Sequence, residues 1–154
     1  MSTLNRKKFN ELLDRLQKDY PELTFLPGRR FLYHPPATIY YIPYSRDLQN
    51  YYQRPDLLLL HELGHKIIKH NDYQSDVELL RIESEAWAAA AKLCQKYHIN
   101  YDEDFAEERI DSYRDWLHYN SSCPNCGLNG YQDKLGQYHC PLCGHKWKRK
   151  LRPH

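Results

Sequence analysis

No apolar run in this chain reaches ten residues, and the leucine run Leu57–Leu60 is only four long. A membrane-spanning helix needs about 20 apolar residues in succession, so none is expected. The opening stretch from Met1 to Lys8 holds no apolar h-region. No secretory signal is therefore expected, and the expected address is cytoplasmic, where thiols stay reduced. Charge of one sign is also missing. With 22 Lys+Arg against 20 Asp+Glu, the formal net charge of +2 excludes a surface steered as a whole toward nucleic acid. Apolar residues make up only 41% of the 154, yet Leu, Ile, Tyr and Trp are frequent enough to build a core. A disordered chain is not expected.

The residues present divide the chain by texture. Leu4 to Lys18 reads as an amphipathic helix, with Leu4, Phe9, Leu12, Leu13 and Leu16 near helical spacing. From Leu23 to Pro43, β-branched and aromatic residues punctuated by Pro27-Gly28 and Pro35-Pro36 predict two or three short antiparallel strands. Pro55 opens a helix expected to run to about His70, where Asn71-Asp72 breaks it. A longer helix is expected from Ser75 or Asp76 to about His98, and a fourth from about Glu103 to Tyr119. The acids between Asp102 and Asp115 read as the solvated face of that fourth helix. At Asn120-Ser121-Ser122 the composition shifts to Cys, Gly and basic residues, which places a boundary there.

Within the second helix lies His61-Glu62-Leu63-Gly64-His65, an H-E-x-x-H sequence. Positions four apart on a helix differ by about 40°, so both imidazoles project from one face and can share a Zn²⁺. Glu62 stands beside them, where its carboxylate can take a proton from an attacking water. A catalytic zinc also needs a third protein ligand and an open position. His70 lies roughly 180° around the helix from His61, so it suits a polar helix end better than a ligand. Glu83 and Glu85 are better candidates. Against the stripe Leu79, Ile82, Ala86, Leu93 and Tyr97, Glu83 sits roughly 60° from centre and Glu85 roughly 100°. Glu83 is therefore expected to face the metal, with Glu85 hydrogen-bonding a ligand histidine.

His61-Glu62-Leu63-Gly64-His65 followed by a helix with Glu83-x-Glu85-Ala86 resembles the zincin-type metallopeptidases of the ImmA/IrrE group, over roughly residues 20–100. That resemblance implies a compact zincin fold, a Zn²⁺ held by His61, His65 and Glu83, and Glu62 as general base. It implies endopeptidase activity on a protein, often a transcriptional repressor. Glutamate-type zincins commonly show Glu-x-x-Ala/Ser-Asp, and this chain has Trp87 where the Asp would stand.

Cys123-x-x-Cys126-Gly127 and Cys140-x-x-Cys143-Gly144 form two knuckles separated by 13 residues. Each bends two thiolates together, the following Gly accepting the strained backbone, and the pair completes a tetrahedral Cys₄ zinc site. Tyr131 to His139 is expected to form the hairpin of a zinc ribbon, turning near Lys134-Leu135-Gly136. Such a short segment has no core of its own, so this zinc would be structural. Cys94 reads as a small buried hydrophobe. Trp147 among Lys146, Lys148, Arg149 and Lys150 could set an aromatic ring beside phosphate-binding cations, and zinc ribbons equally serve as protein docking modules.

The expected fold class is α+β: a helix-rich zincin-like domain over 1–119 with a small antiparallel sheet, then a zinc ribbon with a basic tail over 120–154. The expected function is zinc-dependent endopeptidase activity on a cytoplasmic protein, with one catalytic and one structural Zn²⁺. Two alternatives stand beside it. One is a SprT-like protease acting on DNA-associated proteins, which the order of H-E-x-x-H domain and ribbon resembles. The other is a non-catalytic ribbon adaptor binding nucleic acid or protein. For the oxyanion, Tyr40, Tyr41, Tyr44, Tyr51 and His34 remain open. Thr38 to Ile42 is the expected edge strand for an extended substrate.

Overall fold

The computed structural model describes residues 3–69 and 72–149. His70, Lys150 and Arg152 lie outside the described residues. The chain is α+β, and its elements fall into two compact units. One is built from the chain up to Lys69 with residues 85–102, the other from 72–84 with the chain from Glu103 onward.

In the first unit, helix α1 (Arg6–Asp19) buries Phe9, Leu12, Leu13 and Leu16, the i, i+3, i+4, i+7 pattern of one apolar face. Its start is capped by Asn5, whose side chain accepts the Lys8 N–H at 3.0 Å. Strands β1 (Thr24–Pro27), β2 (Leu32–His34) and β3 (Thr38–Tyr41) form a sheet in the order β1-β3-β2. β2 and β3 pair antiparallel, with Tyr33 opposite Ile39, whereas β1 pairs with β3 in parallel, with Phe25 beside Ile39. This sheet is therefore mixed rather than antiparallel throughout. The link 28–31 can span two strand spacings, about 10 Å. β2 consequently lands beyond β3, and the returning chain inserts β3 alongside β1. The same order corrects the edge-strand expectation: Thr38–Tyr41 is flanked on both sides, and the free edges belong to β1 and β2.

Helix α2 (Arg46–Tyr52), capped by Ser45, was not predicted. Only Leu48 of its seven residues is buried, too little to register as a periodic pattern. Helix α3 (Pro55–Ile67) starts with proline in its first turn and buries Leu57 to Leu60 all round. It packs against β2, β3 and α2. Helix α4 (Asp76–Tyr97) runs without interruption, its residues up to Ser84 belonging to the second unit and those from Glu85 to the first, and buries Leu79, Ile82, Glu83, Ala86, Ala90, Leu93, Cys94 and Tyr97. Where α3 passes α4, a Cβ on Gly64 would meet the carbonyl of Ala86. Glycine lets the two backbones touch. The Cys94 thiol is pushed up to about 11 by burial, with nearby Asp56 adding to the shift.

In the second unit, helix α5 (Glu103–Ser121) buries Phe105, Ala106, Ile110 and Asn120 and leaves its acids Glu103, Asp104, Glu107, Glu108, Asp111 and Asp115 exposed. Its end coincides with the composition change at 120–122. Strands β4 (Tyr131–Gln132), β5 (Gln137–His139) and β6 (Lys146–Lys148) then make a small sheet that is antiparallel throughout. The hairpin turns through Gly136 at φ +81°, with Asp133 Oδ1 accepting the N–H groups of Leu135 and Gln137. Asp76, fully buried at the start of α4, receives the Tyr138 hydroxyl at 2.7 Å and a 3.3 Å contact from Arg149. Its N–H donates to Gln132 Oε1. Among the described residues no helix is long and apolar enough to cross a membrane.

Candidate metal centres

On α3, His61 and His65 sit one turn apart and point the same way, with their Nε2 atoms 3.2 Å apart. A carboxylate oxygen of Glu83 joins them: the three donor atoms lie within 4.8 Å of one another, and all three residues are buried. Two ligands at tetrahedral angles on a zinc 2.0–2.1 Å away would stand about 3.3 Å apart, which the imidazole pair matches. The donor set of two nitrogens and one carboxylate oxygen also fits a divalent ion with an open coordination position. Glu85 is exposed and not part of this cluster. It lines a groove with Ile67, Ile68, Ala89 and Lys92.

Two contacts around this centre go beyond what residue spacing encodes. Glu62 Oε2 accepts the backbone N–H of Tyr33 at 2.6 Å, so a main-chain donor of β2 holds the carboxylate. Trp87 is buried and stacks on the His61 ring, centroids 4.2 Å apart and planes 17° from parallel. The first could not be read from spacing because its donor is backbone. The second was signalled only by an aromatic residue at the position where a carboxylate was expected.

The second centre is the set Cys123, Cys126, Cys140 and Cys143, whose sulfurs also lie within 4.8 Å of one another. Sγ of Cys123 stands 3.7 Å from that of Cys143, and Sγ of Cys126 stands 3.5 Å from that of Cys140. Tetrahedral zinc with Zn–S near 2.3 Å requires about 3.8 Å between sulfurs. Gly127 and Gly144 follow the knuckles at φ +79° and +74°, a conformation that glycine adopts without strain. The Cys143 thiol is pulled down to about 6 by the Asn125 amide and the backbone N–H of His145. Cys140 is lowered by the Cys143 N–H. Cys126 is pushed up to about 12: the Leu128 N–H favours its thiolate, but the neighbouring sulfurs, Cys140 foremost, outweigh it. Four crowded sulfurs cannot all ionise without a cation among them, so the cluster fits a metal ion.

The basic end of the ribbon is arranged differently from its sequence. Neighbours on a strand face opposite sides, so Trp147 points away from exposed Lys146 and Lys148. Its indole stacks on Tyr138, donates to the Asn120 carbonyl at 2.6 Å, and fills the space that Gly130 leaves open. Trp147 is therefore a packing anchor, not a free stacking platform. Arg149 is committed to Asp76 and lies over the Tyr73 ring. Of the oxyanion candidates, Tyr44 packs against Phe9, Tyr51 against Tyr52, Tyr40 against Gly28, and His34 is exposed at the end of β2. No family model, curated protein or solved structure matches this chain.

Proposed function

We propose that this chain is a zinc-dependent endopeptidase of zincin type, with a second, structural zinc in a C-terminal ribbon. The observation that carries the reading is the buried cluster of Glu83 with His61 and His65, the two histidines standing on the helix that also bears Glu62. His61, His65 and Glu83 would hold the zinc, whose Lewis acidity would be available to a peptide carbonyl and to water. Glu62 takes the proton of the attacking water and returns it to the leaving amine. The Tyr33 N–H fixes the orientation of that carboxylate without using a side chain. Because this N–H belongs to β2, an edge strand of the sheet runs beside Glu62, and an extended polypeptide would lie along it without pairing to the Tyr33 N–H. The substrate is accordingly a protein, and the resemblance to the ImmA/IrrE peptidases favours a cytoplasmic regulator.

The test combines elemental analysis with cleavage of an unstructured peptide library. Wild type is expected to hold two zincs per chain and to cleave. Glu62→Gln should keep both zincs and lose cleavage, whereas Glu83→Gln should fall to about one. Cleavage retained by Glu62→Gln rejects the mechanism. One zinc in wild type, lost on replacing Cys123 and Cys126, rejects the catalytic centre and leaves the ribbon adaptor. Exposed Lys146 and Lys148 favour nucleic-acid contact as the second reading, and DNA-stimulated cleavage would move the assignment toward a SprT-like protease.

A further inference from the structure

We propose that Trp87 is a positioning residue for the metal centre, fixing the ring plane of His61 by face-to-face stacking so that Nε2 stays aimed at the metal position. The inference rests on the metal-site reading above. Glu83 and Trp87 are four residues apart on the uninterrupted helix α4, so they project from one face about 40° apart. That face thus presents an oxygen donor at one turn and an indole at the next. The indole is buried and lies 4.2 Å from the His61 ring at 17°. His65 meets the same ring at 4.6 Å and 70°. Rotation of the His61 imidazole about its Cβ–Cγ bond would break the stacking with Trp87, so the ligand is ordered before any metal arrives.

A carboxylate at position 87 would orient a histidine by hydrogen bonding and make it a stronger base. An indole orients it by shape and dispersion and brings no charge. The site therefore gains preorganisation without adding a negative group to a centre that already carries Glu83.

Cobalt(II) is the probe, titrated into full-length protein whose ribbon retains zinc. Its visible d–d band reports the geometry of the His/Glu site, and absence of thiolate charge-transfer absorption shows that the ribbon has not exchanged. Trp87→Phe, which keeps a ring to stack, should bind cobalt within a few-fold of wild type. Trp87→Leu should bind roughly 10- to 100-fold more weakly, the loss typical when the support of a ligand histidine is removed, and with an altered d–d band. Equal affinity and an unchanged band in Trp87→Leu overturn the proposal. A second measurement does not depend on how that variant folds. In wild type, the His61 ring protons should be shifted upfield by the indole in both metal-free and zinc-loaded protein, and their absence from the upfield region in either state overturns it. A wild type that binds no metal beyond the ribbon refutes the metal-site reading itself and the positioning role with it.

Discussion

A methyl group at position 64 would collide with the main chain of α4 at Ala86, not with a side chain able to swing aside. Helix propensity alone favours alanine over glycine by about 1 kcal/mol. Forcing volume into a packed contact costs about 1–3 kcal/mol, and here the obstacle is backbone, so the steric term wins. Gly64→Ala should lower the denaturation midpoint and reduce zinc in the His/Glu centre, measured by chemical unfolding and elemental analysis. At this scale much of the site was legible. The i, i+4 spacing of His61 and His65 alone requires a common face, and helix arithmetic separated Glu83, which is buried, from Glu85, which is exposed. The stack of Trp87 on His61 was not legible, because it depends on how closely α3 and α4 approach. Gly64 sets that distance, and no periodicity encodes it.

Among the elements, α4 begins in a closed polar knot. Asp76 has no exposed surface and takes hydrogen bonds from Tyr138 and Arg149, while Gln132 receives its N–H. Burial first, then the Asp76 partner, holds the Tyr138 phenol above its ordinary range. A phenol raised in the folded state contributes stability that is fully present below its unfolded value near 10. That contribution is lost as pH climbs toward the folded value. Denaturant titrations should show stability falling above about pH 10. Tyr138→Phe should flatten part of that fall and cost about 1–3 kcal/mol at neutral pH, because a buried carboxylate loses a donor. The helices α3, α4 and α5 were legible from proline, spacing and composition. The strand order was not: hydrophobic alternation marks strands but says nothing about which neighbour a short link selects. Helix α2 escaped for want of more than one buried residue.

Taken whole, the chain depends on its two candidate metal centres to different degrees. The ribbon strands hold two or three residues each, and Tyr138, Cys123 and Cys140 are the buried apolar content of the segment, so a metal ion held by the four cysteines would provide most of its reason to fold. The His/Glu cluster instead takes its two histidines from a helix already packed through Leu57, Leu59, Leu60 and Leu63. Chelation at neutral pH should therefore have two phases by circular dichroism and fluorescence. Loss of the His/Glu metal should leave helical content unchanged, and loss of the ribbon metal should expose Trp147 and shift its emission to the red. A single transition in which helix and ribbon signals vanish together would contradict this division.

Every amino acid except proline carries a main-chain N–H, so the donor that holds Glu62 survives almost any exchange at position 33. The Tyr33 side chain has separate duties, burial among the sheet residues and a hydroxyl given to the Pro36 carbonyl. A saturation scan at this position would thus record packing tolerance and stay silent about the contact to Glu62, with proline the lone substitution able to reveal it.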